Sequence, residues 1–73
     1  MIEREQLQQL CKDILHFLAS AKYEKKRISK ASLYREFSEY SQKDIDFALW
    51  YLEEKGFVRG CEITAEGYDA LGA

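Results

Sequence analysis

Residues that carry out chemistry are scarce in this chain. It has one histidine, two cysteines and no apolar run that approaches the ~20 residues of a membrane-spanning helix. It also has no glycine-rich phosphate loop, no Ser-His-Asp set and no carboxylate cluster with metal-ligand spacing. The lone His16 is best interpreted as a solvated side chain. We therefore expect a non-catalytic protein without cofactor or metal, and no membrane partner.

The two cysteines, Cys11 and Cys61, are too few for a disulfide framework, and neither has a His or Cys at metal-ligand spacing. Disulfides are rare in the cytosol, so we expect a reduced cytoplasmic protein with one core thiol and one thiol near the strands. The first ten residues are acidic and polar, and we expect no signal peptide.

Basic residues are also too few for a uniformly basic surface. The 73 residues, which we expect to form one domain over 1–73, carry a net charge of −2, whereas dedicated DNA-binding proteins usually present a basic surface. The average hides an asymmetry. Residues 22–35 hold six basic residues and one acidic residue, a net +5, and the other five basic and twelve acidic residues give −7. The sequence therefore predicts one basic patch on an acidic body.

The first half of the chain predicts two helices of unequal length. Residues 3–21 have a 3.6-residue apolar period, with Leu15 on its flank and expected to be only partly buried. A basic loop over 22–28 follows, in which Ile28 could be the single paired residue of a short first strand. Ser29 then caps a second helix over 30–38. The core-facing residues of the first helix are Leu7, Leu10, Cys11, Ile14, Leu18 and Ala21.

The strongest signals lie between Ser41 and Val58. Ser41 is a helix cap with Asp44 three residues on, and Gly56 is a stop signal. Between them, one apolar stripe is formed by Ile45, Ala48, Leu49 and Leu52. Phe57-Val58 and Glu62-Ile63-Thr64 then predict a hairpin with Arg59-Gly60-Cys61 between the strands. A last helical turn, with Tyr68 and Leu71, is expected to pack on the first helix.

This order of helix, possible strand, helix, helix and hairpin, with a short helical tail, resembles a winged helix-turn-helix domain, a mainly α fold with a small β-hairpin. The residues that carry the likeness are Ile28-Ser29, Leu33, Ser41, ALWYLEEKGFV at 48–58 and ITAEGYDAL at 63–71. The last segment is similar to the I-T-x-x-G-x-x-x-L ending of small bacterial, archaeal and phage winged-helix proteins. The chain also resembles short bacterial and phage proteins of the YjcQ type.

The resemblance implies that the third helix enters the major groove, that the start of the second helix touches phosphate and that the hairpin at 58–63 is the wing. In the third helix, only Gln42 and Lys43 have side chains suited to base edges. Arg59 is the single cation of the wing, which is too short to reach a second groove.

Two surfaces are candidate sites, and each has a plainer interpretation. The cations Lys25, Lys26, Arg27 and Lys30 are suited to binding phosphate, or they make a solubilising loop. Phe47 and Trp50, on the outer face of the third helix, are suited to a protein partner or self-association, unless the tail or the wing covers one of them.

Two functions follow from these surfaces. The first is a small DNA-binding module of the transcriptional-regulator type, of prokaryotic or phage origin, that binds double-stranded DNA. The alternative is a protein-interaction or dimerisation module that does not bind DNA, because Asp46 and Glu53 on the presumed reading helix would repel phosphate. Self-association through the first helix, by way of Leu15, is also open.

Overall fold

The computed structural model describes residues 2–72, which form four helices and one antiparallel hairpin. The helices are α1 (Arg4–Tyr23), α2 (Lys30–Glu36), α3 (Gln42–Glu54) and α4 (Ala65–Leu71), and the strands are β1 (Val58–Arg59) and β2 (Glu62–Ile63). The prediction of a mainly helical chain with a small hairpin and a short helical tail is confirmed. None of the four described helices is both long enough and apolar enough to cross a membrane.

The core lies between α1 and α3, and the hairpin and α2 close its sides. The inward stripe predicted for α3 is buried in full, and Leu33 is the one buried residue of α2. In α1 the predicted stripe is buried except for Leu7, which is half-buried near the start of the helix. The most deeply buried side chains are Leu10, Ile14, Leu18, Leu33, Ile45 and Leu52.

The ends of α3 form as the sequence predicts. The Ser41 hydroxyl accepts a hydrogen bond from the Asp44 backbone N–H at 3.1 Å. At the other end Gly56 has a φ of +79°, and its N–H donates to the Glu53 carbonyl at 3.0 Å. The Phe57 N–H donates to the Leu52 carbonyl at 2.9 Å, which completes a Schellman motif. This motif turns the chain directly into β1.

The hairpin is tighter than predicted. Val58 pairs with Ile63 and Arg59 with Glu62, so the loop is Gly60-Cys61 alone and Arg59 belongs to a strand. Gly60 and Cys61 both have positive φ, at 56° and 63°, which is the conformation of a type I′ turn. The prediction of a three-residue loop was wrong. Cys61 adopts the left-handed conformation that usually requires Gly or Asn, and this allows a two-residue turn.

The connection between α1 and α2 also contains a left-handed residue. Lys25 has a φ of 59°, and the Lys26 N–H donates to the Ala21 carbonyl at 2.8 Å, so α1 ends in a Schellman motif with lysine in the glycine position. The prediction of a strand at Ile28 was wrong, because among residues 2–72 the sheet contains only β1 and β2. Few residues separate this turn from the Ser29 cap, and Ile28 is held by side-chain packing on the core instead.

Lys25→Gly should stabilise the protein by about 0.5–1 kcal/mol. A left-handed conformation costs a lysine roughly 1–2 kcal/mol, and the greater freedom of glycine in the unfolded chain offsets part of the gain. The measurement is chemical unfolding followed by circular dichroism. Lys26→Gly is the control, since it removes the same charge at a neighbour without positive φ. An unfolding free energy for Lys25→Gly no higher than that of the original chain would contradict the strain argument.

The tail packs on the body through residues of the I-T-x-x-G-x-x-x-L segment. Thr64 caps α4 by accepting from the Gly67 N–H at 3.1 Å, and its own hydroxyl donates to the Gly56 carbonyl at 2.6 Å. Gly67 is buried, and Leu71 packs against the core. The expectation that this last turn packs on the first helix is confirmed, although Tyr68 itself is 62% exposed. Thr64 thus joins the end of α3 to the start of α4.

Three smaller predictions need correction. α1 extends through Tyr23, and α2 ends at Glu36, where Phe37 leaves the helix and its ring packs edge-on against Phe17 at 5.8 Å. Leu15 is only 5% exposed, because α4 packs against α1 on that side and Leu71 lies beside the same groove. Leu15 is therefore not available on the surface of α1, and self-association of the first helix through the neighbouring side chains stays a prediction.

Candidate nucleic-acid interface

A cleft of about 340 Å³ separates the basic loop from the turn of the hairpin. The end of α1 and the loop supply cations to one wall, and the hairpin supplies Gly60, Cys61 and Glu62 to the other. Three predicted phosphate-binding residues are therefore brought together beside the hairpin. The four cations of the cleft are Lys22, Lys25, Lys26 and Arg27.

Exposed carboxylates partly neutralise these cations. The Lys22 ammonium contacts Glu62 at 2.7 Å, and the Lys26 ammonium contacts Glu24 at 3.0 Å. The hydrogen bond from Lys22 lowers the pKa of Glu62, so this carboxylate stays charged in neutral solution. More than half of each of these four side chains remains exposed. Exposed pairs of this kind contribute little to stability, so an incoming anion competes with them at low cost.

The third ion pair joins the start of α2 to α3. Asp46 accepts a hydrogen bond from the Tyr34 hydroxyl at 2.5 Å, and the Lys30 ammonium lies 3.9 Å from the same carboxylate oxygen. The hydrogen bond to Asp46 raises the pKa of Tyr34. Asp46 was expected to face phosphate and repel it, but its charge is met within the protein by two groups of α2.

The remaining predicted DNA contacts lie apart from the cleft. Gln42 and Lys43 are exposed in the first turn of α3, and Arg59 is exposed on β1 opposite Glu62. Within residues 2–72, no ion pair or side-chain hydrogen bond joins Gln42 or Lys43 to the basic loop. The structure therefore builds one basic cleft with three of the seven predicted residues, and the four that are absent from its lining are Lys30, Gln42, Lys43 and Arg59.

The outer face of α3 is aromatic. Phe47 is 43% exposed and Trp50 is 52% exposed, and their rings lie 5.4 Å apart at an angle of 31°. Neither the tail nor the hairpin covers this pair, because α4 packs on α1 and β2 instead. Tyr51 lies on the flank with the Lys55 ammonium 5.9 Å from its ring centre. The alternative in which one of the two rings is covered was wrong.

Both thiols are free and both are poor nucleophiles. Cys11 is buried under α3, with its sulfur 3.9 Å from the Ala48 carbonyl, and burial raises its pKa to about 11. Burial also raises the pKa of Cys61, on which Lys30 and Glu53 act in opposite directions. In the described part of the chain, no group of three or more His, Cys, Asp or Glu side chains is arranged to hold a metal ion.

The contacts of Tyr34 and Lys22 could not be found from the sequence. Tyr34 is 12 residues from Asp46, and Lys22 is 40 residues from Glu62, so no local spacing indicates either bond. No protein-family model, curated protein or solved structure matches this chain.

Proposed function

We propose that this chain is a winged helix-turn-helix module of prokaryotic or phage origin. It binds double-stranded DNA in the cytoplasm, as transcriptional regulators do. The observation that carries the proposal is the cleft, where the cations of the α1–α2 loop lie beside the hairpin turn. The resemblance implies that the start of the second helix touches phosphate and that the hairpin is the wing. The module has no catalytic residue in this proposal.

The charge balance of the cleft supports binding to phosphate. Four cations line the cleft, and two carboxylates pair with them, Glu62 with Lys22 and Glu24 with Lys26, which leaves a net charge of +2. All three ion pairs are exposed, so duplex phosphates can replace their carboxylates. A positive surface on a chain of net charge −2 also orients the molecule as it approaches a duplex.

The same geometry supports weak sequence selectivity. Phosphate contacts position a protein on DNA, whereas base contacts specify the site. Gln42 and Lys43 are the side chains of α3 suited to base edges, and beyond them the exposed face is occupied by Phe47 and Trp50. We therefore expect affinity that depends strongly on salt and little on base sequence.

The test is fluorescence anisotropy with a labelled duplex at increasing salt. Lys25, Lys26, Arg27 and Lys30 contacting one phosphate each give a slope of log K against log salt of about −3 to −4, a loss of about 50-fold between 50 and 150 mM. Two duplexes of unrelated sequence should bind with similar affinity. No binding to any duplex at ~50 mM salt would remove the proposal.

A second function is favoured by a separate observation, the stacked Phe47 and Trp50 on the outer face of α3. Exposed aromatic side chains are frequent anchors of protein interfaces. In this alternative the winged module binds protein through α3 and makes no use of DNA. The two functions compete for α3, because Lys43 lies one helical turn before Phe47 on the same helix.

A further inference from the structure

The exposed face of α3 has a charge at each end and aromatic rings between them. Lys43, Phe47, Trp50 and Glu54 are all exposed. At 100° per residue these four positions fall within about 60° of arc, so they form one narrow stripe along the helix. We name these four residues the α3 stripe.

The α3 stripe is complementary to a second copy of itself that runs in the opposite direction. Phe47 and Trp50 are equally distant from a point midway between Ala48 and Leu49, and so are Lys43 and Glu54. A twofold axis through that point, with the two helices antiparallel, sets Phe47 opposite the partner's Trp50. The same axis sets Lys43 opposite the partner's Glu54. Because of the twofold symmetry, the dimer has two such ion pairs.

We propose that two copies of this chain associate through the α3 stripe, with the two α3 helices antiparallel. The proposal rests on the second function above and names its partner as a second copy. At an interaxial distance of 8–10 Å, the side chains of lysine and glutamate can meet across the pair. The four aromatic rings form the centre and the two ion pairs form the ends, as in interfaces with an apolar core and a polar rim.

Charge complementarity favours this occupant and this direction. A parallel pair in register would place Lys43 against Lys43 and Glu54 against Glu54, which costs energy at both ends. The antiparallel pair also aligns the helix dipoles favourably, since the positive end of each α3 lies beside the negative end of the other. Of the flanking acids, Asp46 competes little, because it is held by Tyr34 and Lys30 of its own chain.

The stripe is small, so the dimer is weak. One helix pair buries much less surface area than a standard interface, which buries about 1,600 Å². We therefore expect a dissociation constant in the range of about 10 µM to 1 mM. Sedimentation equilibrium without nucleic acid, at a series of chain concentrations, measures this constant. Trp50→Ala should abolish association, since it removes half of the aromatic centre.

Charge exchange tests the proposed register. Lys43→Glu alone places glutamate against Glu54 twice, and Glu54→Lys alone places lysine against Lys43 twice. Each variant should associate about tenfold more weakly than the original chain. An equimolar mixture of the two variants should associate as strongly as the original chain, because one ion pair then forms with its original signs and the other with reversed signs. The double variant Lys43→Glu/Glu54→Lys should also associate as strongly as the original chain, because both of its ion pairs form with reversed signs.

Lys12→Glu and Glu39→Lys are the matched controls. Both positions are exposed and lie outside α3, so these variants change charge without changing the stripe. Monomer at every concentration would overturn the proposal, and so would a mixture of the two α3 variants that associates no better than either variant alone. Lys26→Glu/Arg27→Glu leaves the stripe intact and should dimerise normally, so loss of DNA binding is distinguishable from loss of the dimer.

Discussion

Reversing Lys26 and Arg27 to glutamate should lower the affinity for a duplex about 100-fold at ~50 mM salt, which equals about 2.7 kcal/mol. The two side chains line the cleft beside the hairpin turn, where the proposed phosphates lie. The change removes two of four contacts and adds two repulsive charges. The slope of log K against log salt should also fall by about half, since it counts the phosphates that are neutralised. Anisotropy titrations at several salt concentrations measure both quantities.

The matched control for this variant is Arg4→Glu/Lys12→Glu. Both residues are exposed on α1 and are absent from the lining of the cleft, and the change in net charge is identical. Long-range repulsion alone would weaken both variants equally. Equal affinities for the two variants would therefore show that the cleft makes no direct contact with phosphate.

Gly67→Ala should destabilise the fold by about 2–4 kcal/mol. A Cβ atom at Gly67 would lie 2.2 Å from the Phe57 carbonyl oxygen and 2.9 Å from the Ile63 side chain. The Phe57 carbonyl cannot move freely, because it accepts a hydrogen bond from the Thr64 N–H at 2.9 Å. The expected cost combines overpacking with the weakening of this hydrogen bond, and it exceeds the gain in helix propensity.

This loss is large for a chain of 73 residues, whose total stability is roughly 4–11 kcal/mol. Thermal unfolding followed by circular dichroism should show a Tm lower by at least about 10 °C. Gly72→Ala is the control, because no atom lies within 4 Å of the added methyl group and its φ is −92°. It should change stability by less than about 0.5 kcal/mol. Similar Tm values for the two variants would refute close packing at Gly67.

The two proposals make opposite demands on α3. A dimer through the α3 stripe covers Lys43, which is also one of the residues proposed to reach base edges. A duplex that contacts this residue would therefore favour the monomer. By linkage, dimerisation would weaken duplex binding by the same factor as duplex binding weakens dimerisation. Concentrated protein should bind duplex less well per chain than dilute protein if both surfaces are used.

The sequence was sufficient where structure is decided by near neighbours. The Ser41 cap, the glycine stop at Gly56 and the inward stripe of α3 depend on spacings of three or four residues, and all are found in the fold. The exposure of Phe47 and Trp50 follows from the same helical period. A basic patch could also be read directly, because its charges are consecutive in the chain.

The errors arose where distant segments meet or where a residue adopts an unusual conformation. Leu15 is buried because α4 returns to cover α1, and Asp46 accepts a hydrogen bond from Tyr34 and pairs with Lys30, both of which lie on another helix. Cys61 adopts a left-handed conformation that cysteine seldom takes, and it shortens the hairpin loop to two residues.

The sequence by itself thus determined the order of the helices, the caps at Ser29, Ser41 and Gly56 and the two candidate surfaces, because these depend on local spacing and on runs of like residues. Tertiary packing alone decided that the cations of the loop lie beside the hairpin turn and that Gly67 lies against the Phe57 carbonyl. The physical reason is that these contacts join segments far apart in the chain, and no local pattern records which of them will meet.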